Sequence, residues 1–466
     1  MSAVLPSLRL SRGALRDAGR SVPTPPVRIV HLGVGAFFRA HQVWYTAHST
    51  DASDWGIVGF TGRSPDMADR LGPQDGLYTL VERGPHADRH EIIGNLVDVL
   101  PGNRVDALVA ALSAPSTALV TLTITEVGYR LLPDGSPDLS DPAVTSDVDL
   151  LRGALRGSEA LPSVQPSTAL GRLLLALEAR RREGAPPVAL VSCDNIPDNG
   201  GHLQRGLTGL ASLCSPDLAD WLPTGAAFVS TSVDRITPRI DHGEERGVTA
   251  ATGWLDAAPV ITEPFSDWVL SGDFPSGRPA WETAGARFVD DIEPYEARKL
   301  WMLNGAHSLL AYSGLLRGHR TVADAMADPV CRDGVERLWD EDIRHLPASL
   351  DLDAYRAALA ARFLNARIEH QLEQIATDAL LKLRLRIVPV ADRELTAGRS
   401  AAGCASAIAA WIAAVQAGIP LRDAASSAIA DADRRGGAEG LLELVSPLLA
   451  EDVAFRRRVT ALVREL

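Results

Sequence analysis

The apolar positions of the chain follow two regimes. In the first, short and almost continuously apolar runs alternate with amphipathic stretches. Val27 to Leu32 is such a run, followed by two glycines and then a helical pattern through the segment 36–48. WGIVGF (55–60), STALVTLTITEVGY (116–129), PVALVSCDN (187–195) and AAFVSTSVDRI (226–236) repeat the theme and predict strands buried on both faces. LYTLVER (77–83) and HEIIGNLVDVL (90–100) predict a β excursion, and LGRLLLALEARRREG (170–184) a helix stopped by Gly184. Strands alternating with helices predict an α/β domain with a doubly wound parallel sheet. Near residue 285 the pattern changes. The segments 293–316, 351–382 and 401–418, and the closing stretch LLELVSPLLAEDVAFRRRVTALVREL, all read as helical. The expected organisation is an α/β domain over 1–285 and a mostly helical domain over 286–466, with the cleft between them as the default site.

Composition narrows the function. The chain has 466 residues, is 46% hydrophobic and 23% charged, and carries a formal net charge of −13. Those fractions fit a globular chain, and the acidic balance disfavours nucleic acid and anionic membranes as partners. No apolar run is long enough for a membrane span, and the N-terminus lacks the apolar core of a secretory signal. Cys193, Cys214, Cys331 and Cys404 are far apart, which predicts reduced, buried thiols in a cytoplasmic protein. The 11 histidines show no HxH or HExxH spacing, so no metal site is expected.

Two stretches carry candidate chemistry. In Gly33-Val34-Gly35-Ala36-Phe37-Phe38 the first glycine permits a sharp turn. The second lets backbone approach a pyrophosphate at a helix N-terminus. Phe38 stands where a third glycine is usual. Set between a strand and a helix, the turn predicts a Rossmann-type dinucleotide site formed by Gly33, Gly35, Ala36 and Phe37; its other reading is a plain turn. After the second strand, Arg63 and Ser64 suit a 2′-phosphate and Asp66 suits a 2′-hydroxyl, so these residues leave NAD and NADP both open.

The second stretch is Glu293-Pro294-Tyr295-Glu296-Ala297-Arg298-Lys299-Leu300-Trp301-Met302-Leu303-Asn304-Gly305-Ala306-His307. On an α-helix, at ~100° per residue, Asn304 lies about 140° and His307 about 80° from Lys299. The three then share one side, among apolar neighbours that would desolvate the lysine. A desolvated lysine can take an alcohol proton as hydride leaves the same carbon, while Asn304 and His307 hold the developing alkoxide. The competing readings are a snorkelling surface lysine and a core histidine. SCDNIPDNG (192–200) follows a buried strand and places Asn195 at the carboxyl end of the sheet, where ligands bind; it also reads as a simple turn. Asp234 and Arg235 follow another strand and suit either a cleft or a structural ion pair.

GVGAFFRAHQ, TLTITEVGY, SCDNIPDNG, STSVDRITPR, TEPFSDWVL and KLWMLNGAHSLLAYSG, in this order, resemble the mannitol dehydrogenase family of polyol-specific long-chain dehydrogenases, from about residue 27 to 460. The resemblance implies a Rossmann-type domain, a helical domain and metal-independent interconversion of a secondary alcohol and a ketone with NAD as the expected cofactor and NADP possible. By matching motif it makes Lys299 the general acid/base. Asn195, Asn304 and His307 become the groups polarising the oxygen, Asp234 a substrate contact, and Glu126 a helper in proton exchange. The stretch 362–378, with His370 followed by Gln374-Ile375-Ala376, is more similar to the fructuronate reductase branch than to mannitol or arabinitol dehydrogenases, and makes His370 a substrate residue. Asp378-Ala379-Leu380-Leu381-Lys382 departs from the family's Asp-Gly-Ser-Gln-Lys. A sugar-acid substrate needs a cation for its carboxylate, and Arg362, Lys382, Arg384 and Arg386 are the candidates. The remote alternative is a non-catalytic nucleotide-binding homologue.

Overall fold

The computed structural model describes residues 8–156 and 160–466. The chain divides into two compact units, the first ending at Ile292 and the second running Glu293–Leu466.

The first unit is built on eight strands: β1 Val27–Leu32, β2 Gly56–Phe60, β3 Leu96–Leu100, β4 Leu119–Leu122, β5 Val188–Ser192, β6 Ala226–Asp234, β7 Asp267–Ser271 and β8 Arg287–Phe288. Their order across the sheet is β8-β7-β6-β5-β4-β1-β2-β3. The pairings from β3 to β6 are all parallel, and β7 runs antiparallel to β6. The chain therefore winds outward from β1 in both directions, and the switch of direction falls between β1 and β4. A crevice at the carboxyl ends of the strands opens at such a point.

Both faces of the sheet are covered. Val30, Leu32, Val120, Leu122 and Leu190 pack with helices Val105–Ser113, Pro142–Arg156, Ala169–Arg182 and Asn199–Cys214. On the opposite face Ile29, Leu119, Ala189 and Val191 pack with Val43, Tyr45, Trp268 and Trp281. Two-sided burial is why these strands are continuously apolar rather than alternating.

The β excursion resolves into two parts. Tyr78–Arg83 and Asp88–Ile93 pair antiparallel and join Val260–Thr262 in a separate three-stranded sheet, while Leu96–Leu100 returns as edge strand β3. The strand expected over 116–129 ends at Leu122, because Glu126–Tyr129 closes into a helical turn.

The second unit is helical. Ala402–Gln416, rich in alanine, is buried on nearly all sides and lies against Ala306–Leu316, Pro329–Ile343 and Val453–Glu465. The long helical reading of 351–382 is corrected. Leu352–Phe363 stops, the segment 364–371 is irregular, and two further helices follow, Leu372–Ile375 and Ala379–Arg386. Asn365 accepts a bond from the Arg367 backbone N–H, and Gln371 bridges to Thr321, so the chain turns where periodicity suggested continuity.

Candidate active site

In the first unit the site begins at the end of β1. Gly33 has φ +102°, and a Cβ there would lie 2.1 Å from the Thr123 carbonyl oxygen, so only glycine fits. Gly35 meets nothing nearer than 3.9 Å and caps the helix Ala36–Ala40 with extended backbone. The turn thus presents open backbone at a helix start beside the switch point, which fits a dinucleotide pyrophosphate.

His31, within β1, holds this turn from below. Its Nε2 lies 3.1 Å from the Gly33 carbonyl oxygen and its Nδ1 lies 2.7 Å from the Thr121 hydroxyl. The ring stacks on Phe38 with centroids 3.3 Å apart. Burial lowers the His31 pKa to about 3 against the Gly33 and Thr121 bonds, so the ring is neutral. The signal was a lone histidine in an apolar strand directly before the glycines, and sequence reasoning passed over it. Arg63, Ser64 and Asp66 lie exposed after β2, with the Asp66 N–H donating to the Ser64 hydroxyl at 3.2 Å.

The carboxyl ends of β4 and β5 are joined through Asp194. Its buried carboxylate accepts from the backbone N–H groups of Ile124 and Thr125 at 3.1 and 2.7 Å and from the Tyr129 hydroxyl at 2.8 Å. Burial nevertheless raises its pKa. The bonds fix Thr125 at φ 64°, ψ 158°, a conformation a β-branched residue rarely takes. Asn199 ties the same region to β6 through the Thr231 N–H and carbonyl at 2.8 and 2.7 Å. Asn195 is exposed in this bend, and Asp234 is buried at the end of β6. Arg235 takes the structural role. It pairs with Glu82 at 2.7 Å, donates to the Ala40 carbonyl at 2.6 Å and lies over the Trp44 ring. The Cys193 thiol is buried and its pKa is pushed up by burial, so it is no nucleophile.

In the second unit the helix expected across 293–316 is not uniform. Glu293–Arg298 is α, Lys299–Gly305 is π, and Ala306–Leu316 is α again. The spacing computed at α geometry is therefore corrected. A π segment bonds residue i to i+5, which brings Lys299 and Asn304 toward one face instead of about 140° apart. Lys299 and Asn304 are half-buried. His307 is 7% exposed and its Nε2 has no hydrogen-bond partner. Burial, then the charges of His370, Arg362 and Arg386, hold its pKa well below the usual range, so the imidazole is neutral. Phe363 and His370 wall it, with ring centroids 4.7 and 5.0 Å away. His370 is half-buried in the irregular segment, where its carbonyl accepts from the Val322 N–H.

The candidate cations separate. Lys382 donates to the Ile375 carbonyl at 2.9 Å, and Arg384 to the Leu444 and Val445 carbonyls. Arg386 bonds the Asn304 carbonyl and the Ser308 hydroxyl, both at 3.1 Å. Arg362 and Arg386 both act on His307. Among the described residues no three His, Cys, Asp or Glu side chains are grouped as a metal-ligand set, and no helix is long and apolar enough to cross a membrane.

Residues 27–283 match the mannitol dehydrogenase Rossmann domain and residues 291–455 the mannitol dehydrogenase C-terminal domain. The chain belongs to the mannitol dehydrogenase family. It is thus an oxidoreductase of that family, with the Rossmann-type sheet and helical second unit that its sequence suggested. D-mannonate oxidoreductase of Escherichia coli (strain K12) is 35% identical over 436 residues, covering 91% of this chain and 84% of that protein. Mannitol 2-dehydrogenase of Cereibacter sphaeroides is 35% identical over 392 residues, covering 82% and 80%. The structure of Pseudomonas fluorescens mannitol 2-dehydrogenase in ternary complex with NAD and D-mannitol aligns with TM-score 0.76 at 32% identity, covering 99% of this chain and 94% of that one.

Proposed function

We propose that this oxidoreductase of the mannitol dehydrogenase family uses NAD(H) to interconvert a secondary alcohol and a ketone on a sugar acid, with fructuronate and mannonate as the pair. The observation that carries the reading is His307: a buried, neutral imidazole whose Nε2 lacks a partner, just beyond a π segment bearing Lys299 and Asn304. A buried polar atom without a partner is costly, and one ligand oxygen would satisfy it.

The Gly33–Gly35 turn, with Ala36 and Phe37 opening the helix behind it, would hold the pyrophosphate of NAD, and Arg63 or Asp66 would face the adenosine ribose. When bound, the cofactor supplies hydride acceptance and donation. In the oxidative direction Lys299 takes the proton of the substrate hydroxyl as hydride leaves the same carbon. In reduction the Lys299 ammonium returns that proton to the oxygen. Asn304 and His307 hydrogen-bond the oxygen as negative charge develops on it, and the family resemblance gives Asn195 the same role. A lysine and neutral donors thus do what a metal does in other alcohol dehydrogenases. The family resemblance makes Asp234 and His370 substrate residues.

The sugar-acid assignment rests on charge. The guanidinium groups of Arg362 and Arg386 both act on His307, so the surroundings of that imidazole favour an anion. Arg362 is the cation we assign to the carboxylate, since its charge acts on His307 and its neighbour Phe363 packs on the same ring. The identity to a D-mannonate oxidoreductase supports the same branch. A panel of fructuronate, tagaturonate, fructose and xylulose, each with NADH and NADPH, tests the reading. A charge-assisted pair contributes about 1.5–3 kcal/mol, so fructuronate should exceed fructose by roughly one to two decades in kcat/KM with NADH. Chelators should leave turnover unchanged. Equal or better activity on fructose would make the protein a mannitol 2-dehydrogenase or a related polyol enzyme. Preference for NADPH would overturn the cofactor assignment.

A further inference from the structure

The π segment is held in place from outside its own helix. Two of its carbonyl oxygens receive side-chain donors from other helices of the same unit. The Met302 oxygen accepts from the indole N–H of Trp339 at 2.7 Å, a bond fully buried within the unit. The Asn304 oxygen accepts from the Arg386 guanidinium at 3.1 Å and from the Ser308 hydroxyl at 3.1 Å, and Arg386 also donates to that hydroxyl at 3.1 Å. Trp339 lies on Pro329–Ile343 and Arg386 ends Ala379–Arg386, so two separate helices grip one widened turn.

An α-helix containing a π segment carries a local break in its i→i−4 ladder, and a buried carbonyl there needs another donor. Left to itself, the segment would gain by closing to regular α geometry. Lys299 and Asn304 would then diverge by about 140°. The donors that pin Met302 and Asn304 therefore bear on the register of the residues that carry the chemistry. Arg386 is largely desolvated, and burial lowers its pKa to about 10, still high enough for a permanent cation at neutral pH.

We propose that Trp339 and Arg386 are positioning residues: they hold the turn Lys299–Gly305 in its π form and so set Lys299 against Asn304 and His307. The proposal rests on the assignment of Lys299 as general acid/base.

The test is Trp339→Phe, which keeps a buried aromatic ring and removes the N–H that reaches Met302 together with part of the indole volume. Arg386→Lys and Arg386→Met form a second pair. Each is assayed for kcat, KM for fructuronate, the pH profile of kcat, NADH affinity and Tm. The expected result for Trp339→Phe is a folded protein with unchanged NADH affinity, kcat lowered at least tenfold, KM changed less than kcat, and a displaced pH profile. Arg386→Lys, which keeps a donor, should retain more kcat than Arg386→Met. A Trp339→Phe protein with lower Tm but normal kcat and normal pH profile would show a merely structural indole and overturn the proposal. If Arg386→Met fails to fold, Trp339→Phe alone decides. Lys299→Ala is run in parallel. Normal turnover in that variant would remove the assignment beneath the proposal, whereas loss of turnover there with a normal Trp339→Phe enzyme would sink only the positioning role.

Discussion

The four basic side chains near the second unit's irregular segment show how one charge can do different work. Arg384 and Lys382 satisfy backbone carbonyls, Arg386 grips the π turn, and Arg362, whose charge acts on His307, is assigned here to the substrate carboxylate. Arg362→Met keeps the apolar stem and removes the charge. A charge-assisted bond of about 1.5–3 kcal/mol predicts a loss of one to two decades in kcat/KM for fructuronate. The value for fructose should barely move, so a steady-state comparison of the two substrates reads the effect directly. Equal losses on both substrates would assign Arg362 to the architecture of the site instead.

At the scale of elements, the turn after β4 depends on one carboxylate. Asp194 satisfies two backbone N–H groups and a phenol, and keeps Thr125 in an unfavourable conformation. Asp194→Ala removes the acceptor of both N–H groups and one of the two partners of the buried Tyr129 hydroxyl, which keeps Ser192 at 2.7 Å. An unsatisfied donor costs about 1–3 kcal/mol when buried, so a fall in Tm is expected in thermal unfolding. The central strands were legible because two-sided burial writes continuous apolar runs, and the glycine turn because Gly33 has no alternative. The π segment was not legible. Lys299 to Gly305 has ordinary helical composition, and the donors that stabilise it, from Trp339 and Arg386, lie far along the chain. Nor was the break after Phe363, where helical periodicity persists through residues that tertiary bonds turn aside. Asp194 stood in view within SCDNIPDNG, but its partners at 124, 125 and 129 are distant in sequence. His370 was found by resemblance, whereas its place beside His307 required the fold.

For the whole molecule, two buried acids of the second unit pull stability in opposite directions with pH. Burial raises the Glu394 pKa, but bonds from Arg399, Arg344 and His345 outweigh it and bring it down to about 2. Its contribution is present above the unfolded carboxylate range near pH 4.3 and is lost as pH falls toward about 2. Asp342 is the reverse. Fully buried with both oxygens unpartnered, its pKa is pushed well up by burial and by the charges of Glu341 and Glu394. The folded protein then holds a proton that the unfolded chain releases near pH 4, so stability declines as pH rises above that value. Asp342→Asn should raise Tm over wild type by an amount that grows from pH 5 to pH 8, where Glu394 no longer titrates. A constant difference across that range would place the acid in its ionised form.

The central claim is that one lysine moves the proton in this oxidoreductase, and Lys299→Ala tests it most directly. Single-turnover and steady-state reduction of fructuronate by NADH is measured beside NADH affinity. General acid–base catalysis contributes ~10²–10⁴-fold, so kcat should fall by at least that range while NADH binds as before. Near-normal kcat in Lys299→Ala would contradict the account.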